Sequence, residues 1–281
     1  MLKNIVLELS YDGTKYFGWQ IQSKRKGSSS KCLSLHNAAS QKTVQGELEV
    51  ALEKLFGVPV RVSYAGRTDR GVHARSQIVN FPVDTHIPLP KIRNALNALL
   101  PQDIRIEKIK ASSLQFHARF DATSKIYRYT ILNTLKPDVF YRNYTWFFPQ
   151  ELDIATMNKI ASMLIGYRDC SMFAKDAHRY KDVRRLIKAI SIKKRASRIY
   201  IDIEASGFLR NMARNIVYFL VSGGRGRLTL TQARRILAKK SPYLKKPAPP
   251  QGLCLYKVRY KENNQGTVPA AKLKSSTPHR E

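Results

Sequence analysis

The strongest constraint on the fold of this chain is that its apolar residues change period, from two to about 3.6 and back, in the same order twice over. In the first pass, Ile5-Val6-Leu7-Glu8-Leu9 reads as a strand, and Val44, Leu48, Leu52 and Leu55 fall on one face of a helix. Alternation returns over residues 60–64 and 77–81. A short helix over 91–100 is opened by Pro90 and stopped by Pro101, and 104–109 closes the series as a strand. In the second pass, 126–132 reads as a strand and 153–165 as a helix with Asp153 near its start. Two strands over 186–192 and 199–203 follow, then helices over 208–221 and 231–239, and a last strand over 253–260.

Each pass has the order β-α-β-β-α-β, that of the ferredoxin-like unit. The expected fold is α+β: two such halves, residues 1–115 and 116–260, with mixed or antiparallel sheets flanked by helices around a central basic cleft. Only the order repeats; the residues do not. Residues 23–42, which carry five Lys or Arg, several Ser and no acid, interrupt the first strand-to-helix connection, and 261–281 form a polar tail. Neither carries an apolar period, and both are expected to stay outside the fold as mobile chain.

Charge narrows the partners. Fifty Lys and Arg stand against twenty Asp and Glu, a net charge of +30. Such an excess repels itself in a folded protein unless a polyanion sits nearby. Nucleic acid is preferred to a membrane surface, because neither terminus reads as a basic amphipathic helix. The first ten residues read as a strand and not a signal peptide, and the longest fully apolar run, 216–221, is far too short to cross a bilayer. Cys32, Cys170 and Cys254 stand apart, with no CxxC pair and no HExxH. The expectation is a cytoplasmic enzyme with no disulfide framework, structural metal or cofactor.

The stretch richest in chemistry is Ala65-Gly66-Arg67-Thr68-Asp69-Arg70-Gly71-Val72-His73-Ala74, a glycine-bounded loop after a strand. An aspartate among Arg67, Arg70 and Arg75 is expected to stay ionised. It is then a nucleophile, an electrostatic stabiliser, or a turn residue capping its own loop. Gly223-Gly224-Arg225-Gly226-Arg227 lacks the Gly-Lys-Ser/Thr ending of a phosphate-binding P-loop and reads as a loop after a helix. The run of Arg179, Lys181, Arg184, Arg185, Lys188, Lys193, Lys194 and Arg195 reads as a track for an RNA backbone.

The stretch from Gly66 to Ala74 resembles the GRTDxGVHA signature of TruA-type tRNA pseudouridine synthases. Five further segments resemble that family in the same order: Tyr11-Asp12-Gly13-Thr14 with Phe17-Gly18-Trp19-Gln20; Thr43-Val44-Gln45-Gly46-Glu47-Leu48-Glu49; Phe116-His117-Ala118-Arg119-Phe120 with Lys125-Ile126-Tyr127-Arg128-Tyr129; Gly207-Phe208-Leu209-Arg210-Asn211-Met212-Ala213-Arg214-Asn215; and Pro249-Pro250-Gln251-Gly252-Leu253. The insert and the tail are where the chain departs from the family. The resemblance implies isomerisation of uridine to pseudouridine at positions 38, 39 and 40 (tRNA numbering) of the anticodon stem-loop, without a cofactor, by a homodimer that grips tRNA. It makes Asp69 the catalytic carboxylate and nucleophile, and Tyr127 an active-site tyrosine that stacks on uracil. Arg214 becomes the partner of Asp69, Arg67 the residue that displaces the target nucleotide, and Leu253 an apolar wall of the uracil pocket. His73 is read as structural. The same motifs would serve an enzyme acting on other tRNA uridines. A non-catalytic RNA-binding module fits less well, because no strand carries the aromatic pattern of an RNA recognition motif.

Overall fold

The computed structural model describes residues 1–21, 42–241 and 246–261. The polar tail beyond 261 and the basic insert, save Lys42, therefore lie outside the described residues. The first pass forms β1 (Leu2–Tyr11), α1 (Val44–Phe56), β2 (Ser63–Tyr64), β3 (His73–Asp84), α2 (Leu89–Leu99) and β4 (Ile104–Ser112). The second forms β5 (Ala122–Leu132), β6 (Trp146–Phe147), α3 (Ile154–Leu164), β7 (Gly166–Asp169), β8 (Arg184–Arg195), β9 (Arg198–Ala205), α4 (Met212–Gly224), α5 (Leu230–Leu237) and β10 (Leu253–Tyr260).

Among the described residues all the strands belong to one mixed sheet, ordered β4-β1-β3-β10-β5-β9-β8-β7, with β2 on β3 and β6 on β5. Both passes thus adopt one strand order. It is β4-β1-β3-β2 in the first and β10-β5-β9-β8 in the second, and they join where β10 runs parallel to β3 at His73 and Ala74. The long β3 makes this joint possible. Its far end pairs with β2 at Val79 and Asn80, leaving its near end free for β10.

The helices form for local reasons. Thr43 accepts the Gly46 N–H to cap α1, and Gly57 ends the helix in the left-handed region. Asp153 caps α3 through the Thr156 N–H. Gly223 and Gly224 sit in the last turn of α4, where any Cβ would run into Ile160 and Met157 of α3. Two of the glycines expected in a loop are therefore packing residues, and only Gly226, at φ +74°, makes the turn.

Two boundaries differ from the periodicity. Of the alternating residues 60–64, only Ser63 and Tyr64 join the sheet, because the Val62 N–H is taken by the buried carboxylate of Glu49 on α1. Helix α4 begins at Met212 and not near 208, since Asn211 turns into the left-handed region at φ 61°. Arg210 therefore precedes the helix that carries Arg214, and it pairs with Asp176 at 3.3 Å.

Candidate active site

The loop between β2 and β3 carries Asp69, and the start of the chain clamps it. The Trp19 N–H donates to the Thr68 carbonyl at 3.1 Å, and the Gly71 N–H to the Tyr16 carbonyl at 3.4 Å. The Tyr11 and Thr68 hydroxyls share a hydrogen bond of 2.8 Å. A Cβ on Gly13 would lie 2.0 Å from the Val72 oxygen, and one on Gly18, at φ +93°, would lie 2.6 Å from the Thr68 oxygen. Only glycine allows so close a backbone approach. From the sheet side, the Gln77 side chain donates to the Gly66 carbonyl at 2.7 Å and accepts its N–H at 3.3 Å. His73 completes the clamp: Nδ1 lies 3.1 Å from the Gly13 nitrogen, and Nε2 faces the Asn143 and Gln251 carbonyls. Its role here is to hold the loop in place.

Held in this way, the loop presents Asp69 to the second half of the molecule. None of its neighbours in sequence forms an ion pair with it among the described residues; Arg70 instead lies over the Phe17 ring at 4.2 Å. Its partner is Arg214 of α4, whose Nη1 lies 3.5 Å from Asp69 Oδ2. The guanidinium is not a two-pronged fork on the carboxylate. Its Nε is held by the Ala248 carbonyl at 2.6 Å, so the segment leading to β10 aims Arg214 at Asp69.

Tyr127 of β5 is only 5% exposed, its hydroxyl donating to the Arg67 carbonyl at 3.4 Å and its ring edge-on to Phe208 at 4.8 Å. Burial, together with the nearby Tyr11 and Asp69, pushes its phenol far above the ordinary tyrosine value. The group is a neutral donor at physiological pH. Arg67 is exposed, with Nε anchored on the Tyr64 hydroxyl at 3.1 Å and no carboxylate partner among the described residues. Leu253 begins β10 opposite Tyr129, two pairs along from the Leu255–Tyr127 pair, which puts it on the sheet face of Tyr127. Pro250, three residues earlier, is the nearest contact a side chain on Gly71 would meet. The five residues singled out from the sequence thus come from four separate segments to one region. Missed there were Phe208, which lies in a quoted motif without a distinguishing signal, and Tyr64 and the Ala248 carbonyl, which lie just outside the quoted motifs.

Comparison with known proteins identifies the family. A family model described as tRNA pseudouridine synthase matches residues 9–121 and 160–261, segments that hold Arg67, Asp69, Arg214 and Leu253. Tyr127 falls between them. A "tRNA pseudouridine synthase A" of Thermosipho africanus is 40% identical over 264 residues, covering 92% of this chain and 100% of that one. Proteins of the same name from Moorella thermoacetica and Clostridium kluyveri are 39% and 38% identical, covering 90% and 92% of this chain and 98% and 100% of their own. With both the family model and full-length relatives in agreement, this chain belongs to the tRNA pseudouridine synthase family.

Proposed function

We propose that the protein isomerises uridine to pseudouridine at positions 38, 39 and 40 of the tRNA anticodon stem-loop, acting as a homodimer. The observation that carries the activity is the Asp69 carboxylate, fixed on a clamped loop and faced by Arg214 beside the buried Tyr127. The reaction breaks the N1–C1′ bond, turns the uracil, and joins C5 to C1′. The proton leaving C5 is balanced by the one gained at N1, so substrate and product are isomers and no redox partner is consumed. In this reading Asp69 acts as the nucleophile, Arg214 orients it, and the Tyr127 ring supports the uracil. Leu253 supplies an apolar wall. Arg67, a cation outside any ion pair among the described residues, enters the space left when the target nucleotide is flipped out. The choice of uridines and the dimer rest on the family resemblance, and the net charge of +30 supports tRNA as the partner.

Asp69→Asn tests the assignment. Single-turnover assays with saturating enzyme should show pseudouridine formation falling by at least about 10³-fold, while tRNA affinity stays within a few-fold. Turnover near that of the unmodified protein would overturn it. Mapping the modified sites in tRNA from cells with and without the protein checks the three positions, and sedimentation equilibrium checks the dimer.

A further inference from the structure

Lys125 is a lysine where a lysine costs most. It stands on β5 with 8% of its surface exposed, and no carboxylate lies within ion-pair distance of it among the described residues. Its stem lies in contact with Gly66, three residues before Asp69, where its Cδ and Cε both come within 3.5 Å of a Cβ built on that glycine. The sheet register sets a second cation alongside. Lys125 pairs with Ala205 of β9, which pairs with Ile187 of β8. Arg185 stands two residues before Ile187 on the same face of β8, and its Nε lies 3.4 Å from a Cβ built on Gly207, just beyond the end of β9. The Arg185 Nη1 is held by the Asp182 and Arg184 carbonyls and not by an acid. Arg119, exposed at the turn before β5, adds a third positive charge that acts on Lys125.

An ammonium on a largely buried side chain with no carboxylate partner among the described residues is destabilising in the free protein, and nearby arginines make it more so. Desolvation, with Arg119 and Arg185, pulls the Lys125 pKa down to about 8. What the cluster lacks is an anion, and the RNA substrate carries one at every nucleotide. We propose that Lys125, Arg119 and Arg185 form a phosphate cradle that holds the substrate backbone beside the target nucleotide, next to the Asp69 loop. This rests on the reading of the site as one that acts on tRNA. A flipped nucleotide must be held by its own backbone while the base turns, so a fixed phosphate contact here positions C1′ for the reaction.

The test uses an anticodon stem-loop RNA carrying single neutral methylphosphonate linkages, placed one at a time around the target uridine. Binding is measured for the full-length protein and for Lys125→Met, which keeps the apolar stem and removes the charge. One linkage flanking the target should weaken binding to the unmodified protein by about tenfold, as for one charge-assisted contact, and leave Lys125→Met unaffected. On unmodified RNA, Lys125→Met should flatten the slope of log K against log salt by roughly 0.7 to 0.9. Arg119→Gln, at an exposed position that packing does not need, should act in the same direction. If the linkage scans of the unmodified protein and both variants superimpose, or their salt slopes are parallel, the cradle is overturned. Pseudouridine formation by the unmodified protein is assayed on the same RNA. A protein that binds but does not isomerise sinks the activity alone, and one that does not bind sinks both proposals.

Discussion

Single residues here show a division between groups satisfied by the fold and groups left for a substrate. Glu49, 3% exposed, is satisfied: it accepts from Gln45, Arg61 and Val62. Lys125 is left open, and its titration should reveal it. The groups facing it are the charged Arg119 and Arg185, and the Tyr127 phenol, which stays neutral. In the unfolded chain a lysine titrates near 10.4, and in the fold Lys125 titrates at about 8. Between those values the unfolded chain holds more protons, so this group makes stability rise with pH across the window; below it the buried charge is a full penalty. Urea unfolding should therefore find Lys125→Met more stable than the unmodified protein at pH 7.5, with the gap narrowing by pH 10. A gap that does not change with pH would show that Lys125 is not held against its charge.

Among the elements, the Asp69 loop depends on the segment that follows β1. Gly18→Ala places a side chain at a positive φ and against the Thr68 carbonyl. It should cost about 1–3 kcal/mol of stability, and reduce single-turnover rate more than RNA affinity because it displaces Asp69. Full turnover in a destabilised variant would show that the clamp does not position the carboxylate. The elements themselves were largely legible, because each carries a local period or cap, as at Thr43 and Asp153. What escaped depends on distant partners. Residues 73–76 of β3 are His, Ala, Arg and Ser, with no apolar alternation, and become strand because Tyr11 and β10 pair with them. β6 and β7 are too short to show a period. Asp69 was visible in its motif and Arg214 through the family resemblance, whereas the three arginines beside Asp69 in sequence form no ion pair with it among the described residues. Lys125 looked like any strand lysine until the register buried it.

At the scale of the whole molecule, the described residues form one sheet with one core. Buried residues from both passes, Ile5 to Val258, form a single cluster, and β10 bonds to both β3 and β5. Such a structure should unfold in one step, although each pass has the order of an independent unit. The two tryptophans report on this separately. Trp19 is buried between Tyr11 and Tyr64 in the first pass, and Trp146 stacks on Tyr218 in the second. In Trp19→Phe and Trp146→Phe, the fluorescence and far-ultraviolet dichroism midpoints should coincide within each variant. Separated midpoints would mean that the halves melt independently.

The placement of β10 also has a consequence for biosynthesis. The last strand of the sheet to leave the ribosome is the one that occupies its middle. Until it arrives, β3 and β5 each present an unpaired edge, the kind of surface on which nascent chains associate wrongly. Arg214 meanwhile lacks its Ala248 anchor, and Leu253 is missing. A growing chain that already carries the Asp69 loop and much of the positive charge is thus kept from acting on RNA until β10 has been made and has entered the sheet.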